Sequence, residues 1–377
     1  MIYLDNAGTT KPLKEVCDLV KDLQENYYFN ASSGYNLARK TKQLIENARL
    51  EIASRINAKP ENILFTSCAT EANNQIIRSN VDSNKLHEYI FSQGEHPSIY
   101  NVALDLKNSG HIVKFIPLKK DGTINQDKLF EAINKNTKFV SIMSVSNETG
   151  AINDIENIAK AIKEINKDIF VHSDFVQALG KIDINFKRLK VDAITISSHK
   201  INGLKGAGAL VCKDLSKIKP FLIGGGQENN LRSGTENVDS ICAFGLACKL
   251  IDLKNQDKIR EMNNYIKTTL SQKLGEDIEF VSQENAIPNI ISVIFKKMKS
   301  EVFVRYLDGF GIICSKGSAC STQKSGNRIL SSMGYSNEMI VGNVRISLGV
   351  YNTKEEIVKA VDIIVEKYNE LKERMKL

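Results

Sequence analysis

The sequence is poor in most features that would place it outside ordinary globular proteins. Its seven cysteines, Cys17, Cys68, Cys212, Cys242, Cys248, Cys314 and Cys320, include no CxxC pair and no Cys/His spacing of the metal-binding kind. Neither a disulfide framework nor a zinc site is indicated, and the odd set suits a reducing compartment. Only six prolines occur in 377 residues, so there is no Pro-rich linker. No uncharged apolar run approaches the roughly 18 residues that a bilayer span needs. Residues Met1–Asp5 show neither the basic region nor the apolar segment of a signal peptide. A cytoplasmic protein without membrane attachment is expected. Charge of one sign is also scarce: 51 Lys+Arg against 44 Asp+Glu leave a net +7. The two signs alternate along stretches such as Lys249–Lys254 and Lys354–Lys359, which reads as solvated surface rather than a direct nucleic-acid interface.

What is present, 42% hydrophobic and 25% charged residues, is the composition of a soluble globular chain and excludes disorder and collagen-like repeats. The length suggests about two domains. From about residue 60 to 212, short β-branched runs alternate with helix-length segments. The candidate strands are Ile63–Thr66, Tyr89–Ser92, Ile112–Ile116, Phe139–Val145, Ile169–His172, Ala193–Ile196 and Ala209–Cys212. Between them, Ile155, Ile158, Ala159, Ile162 and Ile165 fall on one helical face. This alternation predicts an α/β fold with a mainly parallel central sheet flanked by helices. After Gly224–Gly226 the pattern changes to a long helix from about Val238 to Leu274, a strand at Asn289–Phe295 and an amphipathic helix from Lys354 onward. The expected division is a large domain at 13–254 and a smaller α+β domain formed by 1–12 and 255–377.

In open α/β sheets ligands sit beyond the carboxyl ends of strands, so the residues after each strand carry most information. Thr66–Glu71 opens a helix, where free N–H groups and the hydroxyls of Ser67 and Thr70 suit a phosphate. His96 stands at a strand-to-helix turn, able to stack on a planar ring or move a proton. Asn147 follows the fourth candidate strand, in a run that is also good turn chemistry. Asp174 ends another strand with Gln177 three residues later, and Lys200 follows Ser197 and His199 past an apolar strand. Singly, Lys200 reads as a surface lysine and His96 as a cap. Together the tips supply a phosphate seat, a stacking imidazole, a carboxylate, an amide and an imine-forming lysine. That inventory suits pyridoxal phosphate, whose ring nitrogen needs the carboxylate and whose aldehyde needs the amine.

The motifs Tyr3-Leu-Asp-Asn-Ala-Gly-Thr-Thr10, Asn30–Ser33, Phe65–Glu71, Glu95-His96, Ser146–Gly150, Asp174–Gln177, Ser197–Lys200, Lys205–Gly208, Gly224–Glu228, Leu231–Thr235, Gly317-Ser-Ala-Cys320 and Val344–Gly349 follow in order over most of the chain. In this the sequence resembles the cysteine desulfurases, class V aminotransferase-like enzymes of pyridoxal phosphate fold type I. The resemblance implies that Lys200 bonds to the cofactor as an imine, Asp174 pairs with its ring nitrogen and His96 stacks on the ring. It places Gln177 and Asn147 on the phenolic-oxygen side, and Ala69, Thr70, Ser197 and His199 around the phosphate. Thr235 would reach the cofactor of a neighbouring subunit, which implies a homodimer. Arg345 would grip the substrate carboxylate, where a planar two-pronged donor is apt.

Cys320 would be the nucleophile, in a glycine- and serine-containing loop at about 315–327, whereas Cys17, Cys212, Cys242 and Cys248 are expected to pack as small hydrophobes, with Cys314 packing or ambiguous. L-cysteine would become L-alanine, with the sulfur held as a persulfide on Cys320. An acceptor protein would then collect it, such as an iron–sulfur scaffold or a tRNA-thiolating enzyme. Lys316, where many relatives carry serine, is expected to favour the thiolate. Other departures are Cys68 in place of the usual glycine of the phosphate turn, Ala31 and Tyr35 in place of proline and histidine, and the bulkier Phe175 and Val176. The competing readings are a selenocysteine lyase or other β-eliminating enzyme using the same cofactor, and a catalytically silent sulfur-assembly scaffold.

Overall fold

The computed structural model describes residues 1–82, 85–281, 285–317 and 328–375. In chain order the elements are β1 (Ile2–Tyr3), α1 (Lys14–Asn26), α2 (Asn36–Arg55), β2 (Ile63–Thr66), α3 (Ala69–Ser79), β3 (Glu88–Ser92), α4 (Pro97–Asn108), β4 (Ile112–Ile116), α5 (Gln126–Ala132), β5 (Thr137–Ser141), α6 (Ile155–Ile165), β6 (Phe170–Asp174), β7 (Ala193–Ser197) and β8 (Gly208–Cys212). There follow α7 (Val238–Lys249), α8 (Asn255–Leu274), β9 (Ile278–Val281), β10 (Ile290–Phe295), α9 (Ser300–Asp308), β11 (Ile312–Ile313), α10 (Arg328–Ser332), α11 (Asn337–Val341), β12 (Asn343–Ser347) and α12 (Lys354–Arg374).

The central sheet has the order β2-β8-β7-β6-β5-β3-β4. Its strands pair in parallel except β8, which runs antiparallel to both β2 and β7. Residues 198–207 between β7 and β8 are too few for the crossover helix that a parallel return requires. Side-chain alternation builds a core on each face. Ile63, Phe65, Val140, Val171, Ile194 and Val211 pack with α2, α6 and α7. Leu64, Tyr89, Phe91, Phe139, Phe170 and Leu210 pack with α3 and α4 on the opposite face. Each such side chain contributes about 1.5–3 kcal/mol by leaving water. Helices α2 and α7 approach so closely that a Cβ on Gly245 would stand 2.5 Å from Ala48 Cα.

A second core gathers Ile2 and Leu4 with residues of α8, β9, β10, α9, β12 and α12. Its antiparallel sheet has the order β12-β10-β9, and β1 pairs with β11. Helix α12 is started by a Thr353/Glu356 capping box and buries Ile357, Val361, Ile364, Tyr368 and Leu371 along one face. No helix among the described residues is long and apolar enough to cross a membrane.

Three local expectations need correction. The helix expected over Val238–Leu274 is two helices, α7 and α8. The Asp252 side chain accepts from Lys254 N at 2.9 Å and so competes with helical continuation. The strand expected over Phe139–Val145 begins at Thr137 and ends its regular ladder at Ser141; beyond it Ser144 N donates to Asp174 O at 2.9 Å. Ile165, expected on the buried face of α6, is 51% exposed because the last turn runs past the core.

Candidate active site

The strand tips converge at the carboxyl edge of the central sheet. Between β2 and α3 the N-cap is Cys68, whose side chain makes no capping bond, so the first N–H groups of α3 are not consumed by it. The turn lies flat against the start of β8: a Cβ on Gly208 would meet the Cys68 carbonyl carbon at 2.7 Å. Thr70 lines the cavity described below. Ser67 does not share that task. Its N–H and hydroxyl donate to Glu71 Oε2 at 2.9 and 2.5 Å, and Glu71 is held in turn by Arg232 at 2.9 Å. The first-turn acid thus takes the hydroxyl that the sequence offered to phosphate.

A cavity of about 400 Å³ is lined by Ala69, Thr70, His96, Asn147, Asp174, Gln177, His199, Lys200 and Arg345, together with Cys68 and Gly317. Residues from β2–α3, β3–α4, β6, β7 and β12 therefore meet around one space. Two expected participants lie outside its lining. Ser197 is buried at the end of β7 with its hydroxyl unpartnered among the described residues. Thr235 is exposed and lines a separate cavity of about 140 Å³ with Ser67, Gln227 and Arg232. Cys320 lies outside the described residues.

Lys200 ends the short turn after β7, and its Nζ donates to the carbonyls of Ala7 and Gly8 at 2.6 and 2.5 Å. Burial, and then the Arg345 guanidinium, bring its amine down to about 8, against the opposing pull of Asp5, Asp174 and Glu148. Asp174 ends β6 and is buried. Its Oδ1 accepts from Val176 N at 2.9 Å and its Oδ2 from Asn73 Nδ2 at 3.1 Å. Burial pushes this carboxyl up. The Asn73 amide also donates to Ser98 Oγ at 2.9 Å, and Ser98 Oγ lies 2.8 Å from His96 Nδ1. Because Ser98 N–H donates to His96 Nδ1 at 3.1 Å, the ring proton belongs on Nε2. Burial holds His96 below its ordinary pKa, in the neutral form. His199 Nδ1 lies 3.0 Å from Thr9 Oγ1, and burial followed by the Lys200 charge takes this imidazole down to about 4.

Arg345 projects from β12. Its Nη1 donates to Asn147 O at 2.8 Å and pairs with Glu148 Oε1 at 3.3 Å, and its Nη2 pairs with Asp5 Oδ1 at 2.9 Å. Its buried Nε has no partner among the described residues. The stretch leading to Cys320 starts beside it: Ser315 and Arg345 exchange backbone hydrogen bonds at 3.1 and 2.7 Å. Lys316 lies 3.9 Å from Glu301 on α9. Among the cysteines expected to pack, Cys212, Cys242 and Cys248 are buried, whereas Cys17 is exposed; its position on α1 faces away from the core that Val16 and Leu23 enter. Cys314 is buried, and burial pushes its thiol up to about 12.

These residues fit pyridoxal phosphate. Asp174 has two neutral N–H partners but no Lys or Arg paired to it among the described residues, a deficit that a protonated ring nitrogen fills. The buried Asn147 Oδ1 has no partner among the described residues and belongs to a residue that lines the same cavity, where a polar atom of the cofactor would satisfy it. Asp5, Asn73 and Glu148 are site residues to which sequence reasoning gave no role. Asp5 stands inside a motif that was visible. Asn73 is signalled only by its place one turn into the helix that follows the phosphate turn.

A model of the family described as aminotransferase class-V matches residues 2–360. The chain is 36% identical over 369 residues to cysteine desulfurase IscS of Dictyoglomus turgidum, covering 96% of this chain and 93% of that one. Among solved structures it is similar to a NifS-like protein of Rickettsia africae, with 33% identity and a TM-score of 0.88 over 98% of this chain and 99% of that one. It is similar as well to SspA solved in complex with cysteine, with 28% identity and a TM-score of 0.83 over 94% of this chain and 100% of that one.

Proposed function

The chain belongs to the class-V aminotransferase family as an enzyme of the cysteine desulfurase type, and from that premise we propose that it converts L-cysteine to L-alanine with pyridoxal phosphate and captures the sulfur on Cys320. The observation that carries this reading is the meeting of Lys200, Asp174, His96 and Arg345 around one cavity of about 400 Å³. When bound, pyridoxal phosphate supplies an electron sink for negative charge at the substrate Cα.

The chain's own residues do the rest. Arg345 holds the substrate carboxylate and aligns it in the cavity. Lys200, brought down to about 8, is unprotonated in part near neutral pH and accepts the Cα proton, whereas a base of ordinary lysine strength would be almost wholly protonated there. Asp174 would pair with the cofactor ring nitrogen, neutral His96 would cover the ring, and Gln177 and Asn147 would address its oxygen side. The N-terminus of α3 at Ala69 and Thr70, with His199, would hold the phosphate. The Cys320 thiolate attacks the substrate sulfur: an S–S bond forms, the Cβ–S bond breaks, and L-cysteine plus thiol become L-alanine plus persulfide. Cys320 is three residues beyond Gly317, which lines the cavity, and three residues of chain span at most about 10 Å.

In this reading residues 1–12 and 255–377 form the domain that presents the thiol, since Ile2 and Leu4 pack with residues from Ile259 to Leu371. Residues 13–254 hold the cofactor. The enzyme works as a homodimer in which exposed Thr235 reaches the other subunit's phosphate, and the persulfide passes to an iron–sulfur scaffold or a tRNA-thiolating enzyme. The test is Cys320→Ala. Loss of sulfide release from L-cysteine with the cofactor's visible absorption retained is the expected result. Retained turnover would instead support a lyase that needs no protein thiol, and wild-type protein unable to bind the cofactor would support a silent scaffold.

A further inference from the structure

Lys181 takes part in none of the steps above, yet its amine is joined to the reactive lysine. It lies four residues after Gln177, and its Nζ donates to Gln177 Oε1 at 2.8 Å. Gln177 Nε2 donates to Ala7 O at 3.0 Å, and the same carbonyl accepts from Lys200 Nζ at 2.6 Å. Lys181, Gln177 and Lys200 also line a second cavity of about 200 Å³, and Gln177 and Lys200 line the cofactor site as well. A glutamine amide can reverse its ends at little cost when its surroundings are indifferent. Here they are not. Reversal would set Nε2 against the Lys181 amine and Oε1 against the Ala7 carbonyl, turning two attractive contacts into two repulsive ones.

We propose that Lys181 is a positioning residue that holds the Gln177 amide with its oxygen on the Lys181 amine and its N–H edge at the Ala7 carbonyl beside the cofactor cavity, and brings positive charge to that side of the ring. The proposal rests on the reading of the larger cavity as a pyridoxal phosphate site. Two consequences follow from elementary electrostatics. An N–H edge fixed in place is a better partner for an anionic ring oxygen than one that reverses. A nearby cation also disfavours protonation of the cofactor–lysine linkage, so it lowers the pH at which the visible spectrum of the bound cofactor changes. Burial and the neighbouring Lys200 bring Lys181 itself down to about 7. The charged or titratable groups facing it from other elements are Lys200 and His199 after β7 and Asp252 after α7.

The experiment is a spectral pH titration of the cofactor-loaded enzyme, with the melting temperature measured alongside. Lys181→Met should raise the midpoint of the visible transition by about one pH unit, with little change in cofactor occupancy. Lys181→Arg, which keeps the charge and the donor, should restore most of that shift. Lys181→Gln should keep the raised midpoint. Where Lys181→Met fails to fold, the Arg and Gln variants decide by the same contrast. A midpoint equal to wild type in Lys181→Met or Lys181→Gln overturns the proposal, and so does an equal shift in the Gln and Arg variants. Wild-type protein with no visible cofactor band would overturn the reading of the cavity itself, a separate outcome from failure of the Lys181 variants.

Discussion

Asp5 Oδ1 accepts from Arg345 Nη2 at 2.9 Å, joining a residue two positions beyond β1 to the last strand across 340 positions. With Glu148 at 3.3 Å on the other side, it fixes the plane of the guanidinium that faces the cavity. A lysine at this position keeps the charge but loses the two-pronged donor. Arg345→Lys is therefore expected to raise the KM for L-cysteine about tenfold, equal to about 1.4 kcal/mol, with a smaller change in kcat. Steady-state kinetics provide the check, and an unaltered KM would remove Arg345 from the substrate carboxylate.

Asp174 is a buried carboxylate whose charge awaits a cationic partner. Asp174→Asn keeps the shape and removes the charge, so the cofactor ring nitrogen loses its counter-ion. Turnover should fall by roughly 30-fold or more, the equivalent of losing about 2 kcal/mol from a buried charged contact. Dialysis should also strip cofactor from the variant faster than from wild type. Equal retention and equal turnover would refute the pairing.

Gly208 tests the close contact beneath the phosphate turn. A Cβ there would stand 2.7 Å from the Cys68 carbonyl carbon and 2.8 Å from Ala69 N, both backbone atoms. Gly208→Ala must displace the turn or β8, at about 1–3 kcal/mol. Because the displaced atoms lie at the N-terminus of α3, cofactor affinity should fall by roughly tenfold. Equilibrium binding of pyridoxal phosphate to cofactor-free protein measures this; unchanged affinity with lowered thermal stability would place the damage in the sheet alone.

His172 sets an acid limit on stability. It is fully buried on β6, with Nδ1 2.9 Å from Ser141 Oγ and Nε2 3.1 Å from Thr195 Oγ1, and burial takes it down to about 3 from an ordinary 6.5. The folded chain holds this ring neutral while the unfolded chain protonates it. Its contribution is complete above pH 6.5 and is lost progressively as the pH falls toward 3, by about 2 kcal/mol at pH 5. Urea denaturation of His172→Gln should show lower stability at pH 7, where the hydrogen bonds are lost, but a shallower decline between pH 7 and pH 5. Parallel declines in the two proteins would be inconsistent with a neutral buried ring.

The sequence by itself determined the order of strands and helices, because periods of two and of 3.6 are local properties of the chain. It determined the chemistry at the strand tips as well. Ends of neighbouring parallel strands must emerge at one edge, so His96, Asn147, Asp174 and Lys200 could be grouped before any contact was known. Only the tertiary structure decided how those groups are supported. Ser67 is taken by Glu71 and Arg232, Asn73 spans Asp174 and Ser98, Asp5 and Glu148 hold Arg345, and Lys181 orients Gln177. The break between α7 and α8, where Asp252 captures a backbone N–H, was likewise invisible to periodicity. Hydrogen-bond direction and charge pairing act over about 3 Å between residues up to hundreds of positions apart. No local spacing in the chain encodes them, and they exist only once both cores have closed around the site.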